Sequence, residues 1–128
     1  MHRKSSLRVY STRESIQRQR GAGCSSVIKG LYCITNSVSK GTSYETIVES
    51  FCSGGADIVQ FRAKELSASE LIRIGKKLRQ ITRRYKVPLI VNDRLDVALL
   101  IAADGLHLGQ DDLPVLEVKN FIASSLHR

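Results

Sequence analysis

Four apolar runs alternate with segments of helical periodicity along residues 31–128. The runs typical of strands cover Leu31 to Thr35, Asp57 to Arg62, Pro88 to Val91 and Asp104 to Leu108. The intervening and final segments repeat apolar residues at spacings of three and four, as amphipathic helices do. They cover residues 42–53, 67–85, 95–103 and 114–122. This β-α-β-α-β-α-β-α order predicts an α/β fold, a parallel sheet with right-handed helical crossovers.

Local signals support the helix boundaries. Thr42 or Ser43 can cap the first helix, and Gly54-Gly55 is a typical helix end. Pro114 lies near the first turn of the last helix, where proline is tolerated. The second helix has its apolar positions on one face, at Leu71, Ile74, Leu78 and Ile81.

The formal charge of +8 is concentrated at the start of the chain. Residues 1–30 contain seven Lys or Arg and one acidic residue, a balance of +6, which leaves +2 for residues 31–128. The basic face of the second helix has no interleaved aromatic residues, so we interpret it as a solvent face. The charge pattern therefore does not favour nucleic-acid binding. No apolar run approaches the roughly 18 residues of a membrane span.

Residues 1–30 are rich in Arg, Ser and Gln and lack a sustained hydrophobic period. Such a composition buries too little apolar surface to fold, which predicts a disordered basic extension. An organellar transit peptide is the alternative, because the segment is also poor in acids. Three cysteines without paired spacing and without a secretory signal indicate a reducing compartment, and we expect a cytoplasmic protein.

Polar residues gather where the second strand ends. Gln60, Arg62 and Lys64 share one face because strand side chains alternate, while Val59 and Phe61 face the other way. An amide, a guanidinium and an ammonium on an inner face are costly to bury unless an anion meets them. Arg and Lys both bind phosphate oxygens, so we favour a phosphorylated ligand over structural ion pairs.

Carboxylates follow the next two strands. Asn92 and Asp93 come directly after one strand, and Asp111 and Asp112 follow the other. Each pair alone also fits a role as helix cap or turn residues. Together they place carboxylates from two loops at one edge of the sheet, which suits Mg²⁺ with its few protein carboxylates and phosphate oxygens. We leave His107 out of this chemistry, because a lone strand histidine is more often a core residue.

These clusters, in this order, resemble the thiamine-phosphate synthase family, whose members are (β/α)₈ barrels. The resemblance covers about residues 31–123. It rests on the LYCIT, QFRAK, VND and ADGLHLGQDDLP segments, which occupy residues 31–35, 60–64, 91–93 and 103–114. The family couples hydroxymethylpyrimidine diphosphate to a thiazole phosphate and releases pyrophosphate. Its mechanism is thought to be dissociative, with the thiazole nitrogen attacking a pyrimidine carbocation.

The resemblance implies roles for individual residues. Gln60, Arg62, Lys64 and Asn92 are expected to bind substrate, the first three at the pyrimidine diphosphate. Asp93 and Asp112 are expected to bind Mg²⁺, and no catalytic residue is assigned. Ala63 replaces the Glu usual in the family, and it is expected to face away from the ligand. The thiazole tautomerases share the fold, but the Asp pair and the GQDD ending favour the synthase.

Length is the main departure from the family. A (β/α)₈ barrel needs roughly 200 residues or more, and this chain ends after about four β-α units. We therefore expect residues 31–128 to be the amino-terminal half of a barrel, with open strand edges and a tendency to self-associate. An active synthase and a non-catalytic half-barrel that binds phosphate or pairs with another chain both remain open.

Overall fold

The computed structural model describes residues 7–11, 30–109 and 112–125. Within these ranges five parallel strands form one sheet in the order β1-β5-β4-β3-β2. The strands are β1 Arg8–Ser11, β2 Tyr32–Ile34, β3 Ile58–Phe61, β4 Leu89–Asn92 and β5 Gly105–Leu108. The helices are α1 Tyr44–Ser53, α2 Ala68–Tyr85, α3 Leu95–Leu100 and α4 Val115–Ser125. The predicted parallel α/β architecture is confirmed.

The first two helices begin at the signals in the sequence, whereas α3 ends at Leu100, before the predicted Ala103, and α4 continues beyond the predicted Ile122 to Ser125. The Ser43 side chain accepts a hydrogen bond from the backbone of Thr46 and so caps α1, and Gly54 and Gly55 follow its end. Ser67 and Glu70 form a reciprocal capping box at the start of α2. The four predicted apolar positions of α2 are all buried. None of the described helices combines the length and apolar composition that crossing a bilayer requires.

One face of the sheet packs against the helices, and the other carries the predicted ligand-side residue Gln60. Val59, Phe61, Val91 and Leu106 belong to the apolar core, which also includes buried residues of the helices. Ala63 is part of the same core, as expected for a residue that faces away from the ligand side. The opposite face carries Gln60 and, level with it in the register, Ile90 and Gly105. We call this opposite face the inner face.

Strand β1 was not predicted. Arg8–Ser11 lies within the stretch expected to be disordered, yet it pairs in parallel with β5 along its whole length. Val9 is buried in the core, which explains how such a polar segment gains order at this point. The expectation for residues 1–6 and 12–29 falls outside the described residues.

Candidate functional site

The carboxyl ends of β3, β4 and β5 lie side by side, because these strands are parallel neighbours. In such sheets ligands bind at this edge. Asn92 at the end of β4 is paired with His107 on β5. Arg62 follows Phe61, which is paired with Val91, so Arg62 comes level with Asn92. The sequence-predicted residues of three strand exits are thus brought to one edge.

Gln60 is deeper than the other predicted ligand contacts. Its side chain is almost fully buried, and its amide donates a 2.8 Å hydrogen bond to the hydroxyl of Tyr32 on β2. This bond fixes the direction of the amide and leaves its carbonyl oxygen for another donor. The sequence analysis placed Tyr32 in a predicted strand but did not assign it a role in the site.

Arg62 is held in place through its backbone. The Thr35 hydroxyl accepts a hydrogen bond from the Arg62 N–H and donates one to the Arg62 carbonyl, each 2.8 Å long. The guanidinium donates to Asn36 Oδ1 at 3.3 Å. Thr35 is almost fully buried, so this clamp is shielded from water. Within the described ranges Arg62 forms no ion pair with a carboxylate, which leaves its charge available to an anion.

Lys64 is one of the residues that line a cleft of about 340 Å³. The cleft has an apolar wall that includes Phe61, and its polar lining includes Asn92 and Asp93. Lys64 is exposed, and it makes no salt bridge among the described residues. Neither cation of the QFRAK segment forms a salt bridge among the described residues, although Lys64 is close enough to Asp93 to lower the pKa of its carboxyl group.

Asp93 occupies a tight and unusual turn. Its φ is 65°, and the Arg94 N–H donates to the Asn92 carbonyl at 2.8 Å, so Asp93 is the central residue of a γ-turn. The N-cap of α3 is Arg94, without a side-chain cap bond, so Asp93 does not serve as a cap. Positive φ at a non-glycine residue is costly and is concentrated at functional sites.

Asp112 lies opposite, after β5. Its Oδ2 accepts a 2.6 Å hydrogen bond from the Gly109 N–H. Burial raises the pKa of the Asp93 carboxyl group, and the neighbouring negative charge of Asp112 raises it further. Lys64 and Asn92 lower it in part. A second negative charge near a partly buried carboxyl group favours a shared proton or a bound cation at this place.

The donor set fits a divalent metal. Mg²⁺ takes one or two carboxylates and completes its octahedron with water and phosphate oxygens, and Asp93 with Asp112 supplies that number. Within the described residues there is no group of three or more His, Cys, Asp or Glu that could hold a metal. Asp111, the remaining acid of this segment, lies outside them. Two carboxylates are a number that suits a metal also bound by water and phosphate oxygens.

His107 is closer to this chemistry than its sequence position indicated. Its carbonyl accepts the Asp93 N–H at 2.9 Å, and its ring Nδ1 is buried without a hydrogen-bond partner among the described residues. Burial lowers the pKa of the imidazole, while the charge of Asp112 acts in the opposite direction.

Comparison with known proteins places the chain among relatives of one kind. The family described as thiamine monophosphate synthase matches residues 31–127. A thiamine-phosphate synthase of Chloroflexus aurantiacus is 46% identical over 97 residues, which are 75% of this chain and 45% of that protein. One of Natronomonas pharaonis is 51% identical over 87 residues, 67% of this chain and 41% of that protein.

A solved structure gives the same result. The thiamine phosphate pyrophosphorylase of Pyrococcus furiosus superposes with a TM-score of 0.66 at 40% identity, over 71% of this chain and 44% of that one. This similarity indicates that the parallel strands and helices described above have a TIM-barrel-like fold. The chain spans less than half the length of the relatives and of the solved structure.

Proposed function

The chain belongs to the thiamine monophosphate synthase family, and we propose that its site binds the diphosphate of a hydroxymethylpyrimidine substrate for coupling to a thiazole phosphate. The observation that carries this proposal is the position of Asp93 and Asp112 after the adjacent parallel strands β4 and β5, close enough for Asp112 to raise the pKa of the Asp93 carboxyl group. It is supported by two cations without ion-pair partners among the described residues, Arg62 and Lys64.

Each residue has a distinct part in binding. Asp93 and Asp112 would hold Mg²⁺, which, when bound, supplies positive charge to the phosphate oxygens. Arg62, fixed through Thr35, presents its guanidinium in one orientation, and Lys64 adds a mobile charge at the rim. Gln60 and Asn92 provide amide contacts along the inner face. Cations prearranged at this edge stabilise the charge that develops on a departing pyrophosphate.

The cationic side chains act on the leaving group only. None of the described residues is assigned as an acid or base, and a dissociative reaction needs none at the bond-breaking step. The thiazole phosphate would approach from the side that the remaining half of the relatives covers. We therefore propose that this chain carries the diphosphate half of the site.

The test uses the purified 128-residue chain, with its folded state verified by circular dichroism. Binding of the pyrimidine diphosphate is measured by calorimetry with and without Mg²⁺, and thiamine-phosphate formation is assayed with both substrates. Mg²⁺-dependent binding supports the proposal, and turnover in addition would show that the half-site suffices for catalysis. A folded chain that does not bind the diphosphate contradicts it.

A further inference from the structure

Lys64 lies in a turn that is anchored at both ends. The Leu66 N–H donates to the Ala63 carbonyl at 3.3 Å, so Lys64 and Glu65 are the central residues of a β-turn between β3 and α2. Ala63 is buried in the apolar core, and Leu66 packs against that core. Lys64 and Glu65 are themselves exposed. The turn therefore has two fixed ends and a charged, exposed tip.

The tip of this turn is tied to α1 by Tyr44. Tyr44 is the first residue of α1, and its ring is almost fully buried in an edge-to-face contact with Phe61, with the ring centroids 5.5 Å apart. The Tyr44 hydroxyl donates a hydrogen bond to Glu65 Oε1. Ser37 Oγ donates to the other carboxylate oxygen, Oε2, at 3.4 Å. A ring held in the core thus restrains an exposed carboxylate next to Lys64.

The ionisation of the two side chains agrees with this contact. The hydrogen bond from Tyr44 is the main cause that lowers the pKa of the Glu65 carboxyl group. Burial, followed by the hydrogen bond to Glu65, raises the pKa of the Tyr44 phenol. At neutral pH the phenol is therefore protonated and the carboxyl group ionised, which is the charge-assisted and stronger form of such a bond.

We propose that Tyr44 and Glu65 are positioning residues, which hold the Lys64 turn so that its ammonium group is placed for the diphosphate. Lys64 lines the same cleft as Asn92 and Asp93, so the position of the turn sets the distance between this cation and the carboxylate side of the site. The inference rests on the proposed function, because it concerns how that site places one of its cations. Neither positioning residue is expected to touch the ligand.

The tether favours anion binding in two ways. A turn that is already restrained loses less conformational freedom when a ligand binds. The tether also engages the Glu65 carboxylate with Tyr44 and Ser37, so that it does not neutralise the neighbouring ammonium group. Lys64 forms no salt bridge among the residues that the structure describes.

Both cations of the site are supported by the segment between β2 and α1. Thr35 and Asn36 hydrogen-bond to Arg62, and Ser37 holds Glu65. One segment therefore fixes the backbone of the first cation and the turn that contains the second. Loss of the tether should affect the second cation alone.

Two measurements on the purified 128-residue chain test the proposal. Tyr44→Phe keeps the buried ring and removes the hydroxyl group. Hydrogen exchange in peptides covering residues 62–67 should become faster by about threefold or more in this variant. Calorimetric titration with inorganic pyrophosphate in the presence of Mg²⁺ should show binding weakened by about threefold to tenfold, the range that corresponds to one lost hydrogen bond.

Tyr85→Phe is the matched control. It also removes a tyrosine hydroxyl that donates to a glutamate, in this case Glu49, at the end of α2 remote from the strand exits. Exchange at residues 62–67 and the affinity for pyrophosphate should both equal those of the parent. A general loss of stability from a missing Tyr–Glu bond would affect both variants alike, and equal effects in the two would overturn the proposal.

Two substitutions of Glu65 separate the tether from the charge. Glu65→Gln and Glu65→Ala both remove the negative charge, but only glutamine keeps an acceptor for the Tyr44 hydroxyl. We expect Glu65→Gln to bind pyrophosphate at least as tightly as the parent, and Glu65→Ala to bind about threefold or more weakly than Glu65→Gln. Equal affinities of these two variants would overturn the proposal, because the charge alone would then matter.

The outcomes distinguish this inference from the proposed function. Unchanged exchange at residues 62–67 in Tyr44→Phe would overturn the inference, because the turn would not depend on the tether. Faster exchange with the affinity of the parent would also overturn it, because the position of the turn would not matter for the anion. A parent chain that does not bind pyrophosphate contradicts the proposed function, and the inference with it.

Discussion

Thr35 and Arg62 exchange two hydrogen bonds through one hydroxyl group, from the exits of neighbouring strands. The hydroxyl satisfies both backbone groups of Arg62, and Thr35 itself is almost fully buried. Thr35→Val would leave these two groups without partners, at a cost of about 1–3 kcal/mol in the free energy of unfolding. Urea denaturation measures this change in the free energy of unfolding. The exposed Thr42→Val should change stability by less than about 0.5 kcal/mol.

A second prediction concerns the carboxyl pair without metal. Because the pKa of Asp93 is raised in the folded state, its ionisation destabilises the fold as pH rises through that value. Below the ordinary pKa of an Asp side chain, this loss of folding stability is absent. Asp93→Asn should therefore be more stable than the parent in Mg²⁺-free buffer at neutral pH, and the difference should shrink on acidification.

The pH dependence separates two contributions. Asn also tolerates the positive φ at this position, but that effect on stability does not vary with pH. Denaturation of both proteins between acid and neutral pH distinguishes them. A stability difference that stays flat across this range would show that the carboxyl contact does not raise the pKa of Asp93.

Gly105 gives a third prediction. Gly105→Ala should destabilise the chain by about 1–3 kcal/mol, because its methyl group meets Ile90 and Tyr10 at less than 3 Å. In a double-mutant cycle with Tyr10→Ala, part of this loss should be recovered. Additive losses would mean that the ring of Tyr10 does not lie against Gly105 in solution.

A fourth prediction separates stability from binding. Arg79 forms a bidentate salt bridge with Asp104, and the Arg79 side chain is mostly buried. The Asp104 carboxylate also accepts a hydrogen bond from the Leu89 N–H. Arg79→Met should lower the free energy of unfolding by about 1–3 kcal/mol without weakening pyrophosphate binding. Arg84→Met removes an exposed pair with Glu49 and should cost less than about 1 kcal/mol. Similar losses of stability in both variants would contradict the claim that the buried pair stabilises the fold more than the exposed one.

The sequence was sufficient for much of the fold because its signals are local. The spacing of Leu71, Ile74, Leu78 and Ile81 predicted α2, and the alternation in β3 correctly assigned Phe61 to the helix side.

Strand β1 could not be predicted in this way. Arg8–Ser11 has no local pattern that stands out from its basic surroundings, and it is ordered by contacts with β5 and α4, almost a hundred residues away. Order of this kind is decided by tertiary packing rather than by composition.

The candidate site was predicted as a set of residues rather than as a geometry. Proximity of Asp93 and Asp112 followed from their places at adjacent strand exits, but the γ-turn at Asp93 did not. The roles of Thr35, Tyr32 and Asn36 were missed, because each acts by orienting another residue and only the register between β2 and β3 reveals it. Mg²⁺, the substrate roles and the cytoplasmic location stay predictions.

Calorimetric titration with inorganic pyrophosphate, with and without Mg²⁺, tests the central claim most directly. The parent should bind pyrophosphate only with Mg²⁺, and Asp93→Asn should weaken that binding by about tenfold or more. Glu49→Gln is the matched control, since Glu49 contacts Arg84 and Tyr85 at the end of α2 remote from the strand exits. It should bind as the parent does. Equal affinity of the parent and Asp93→Asn, or binding that ignores Mg²⁺, would contradict a metal-assisted diphosphate site.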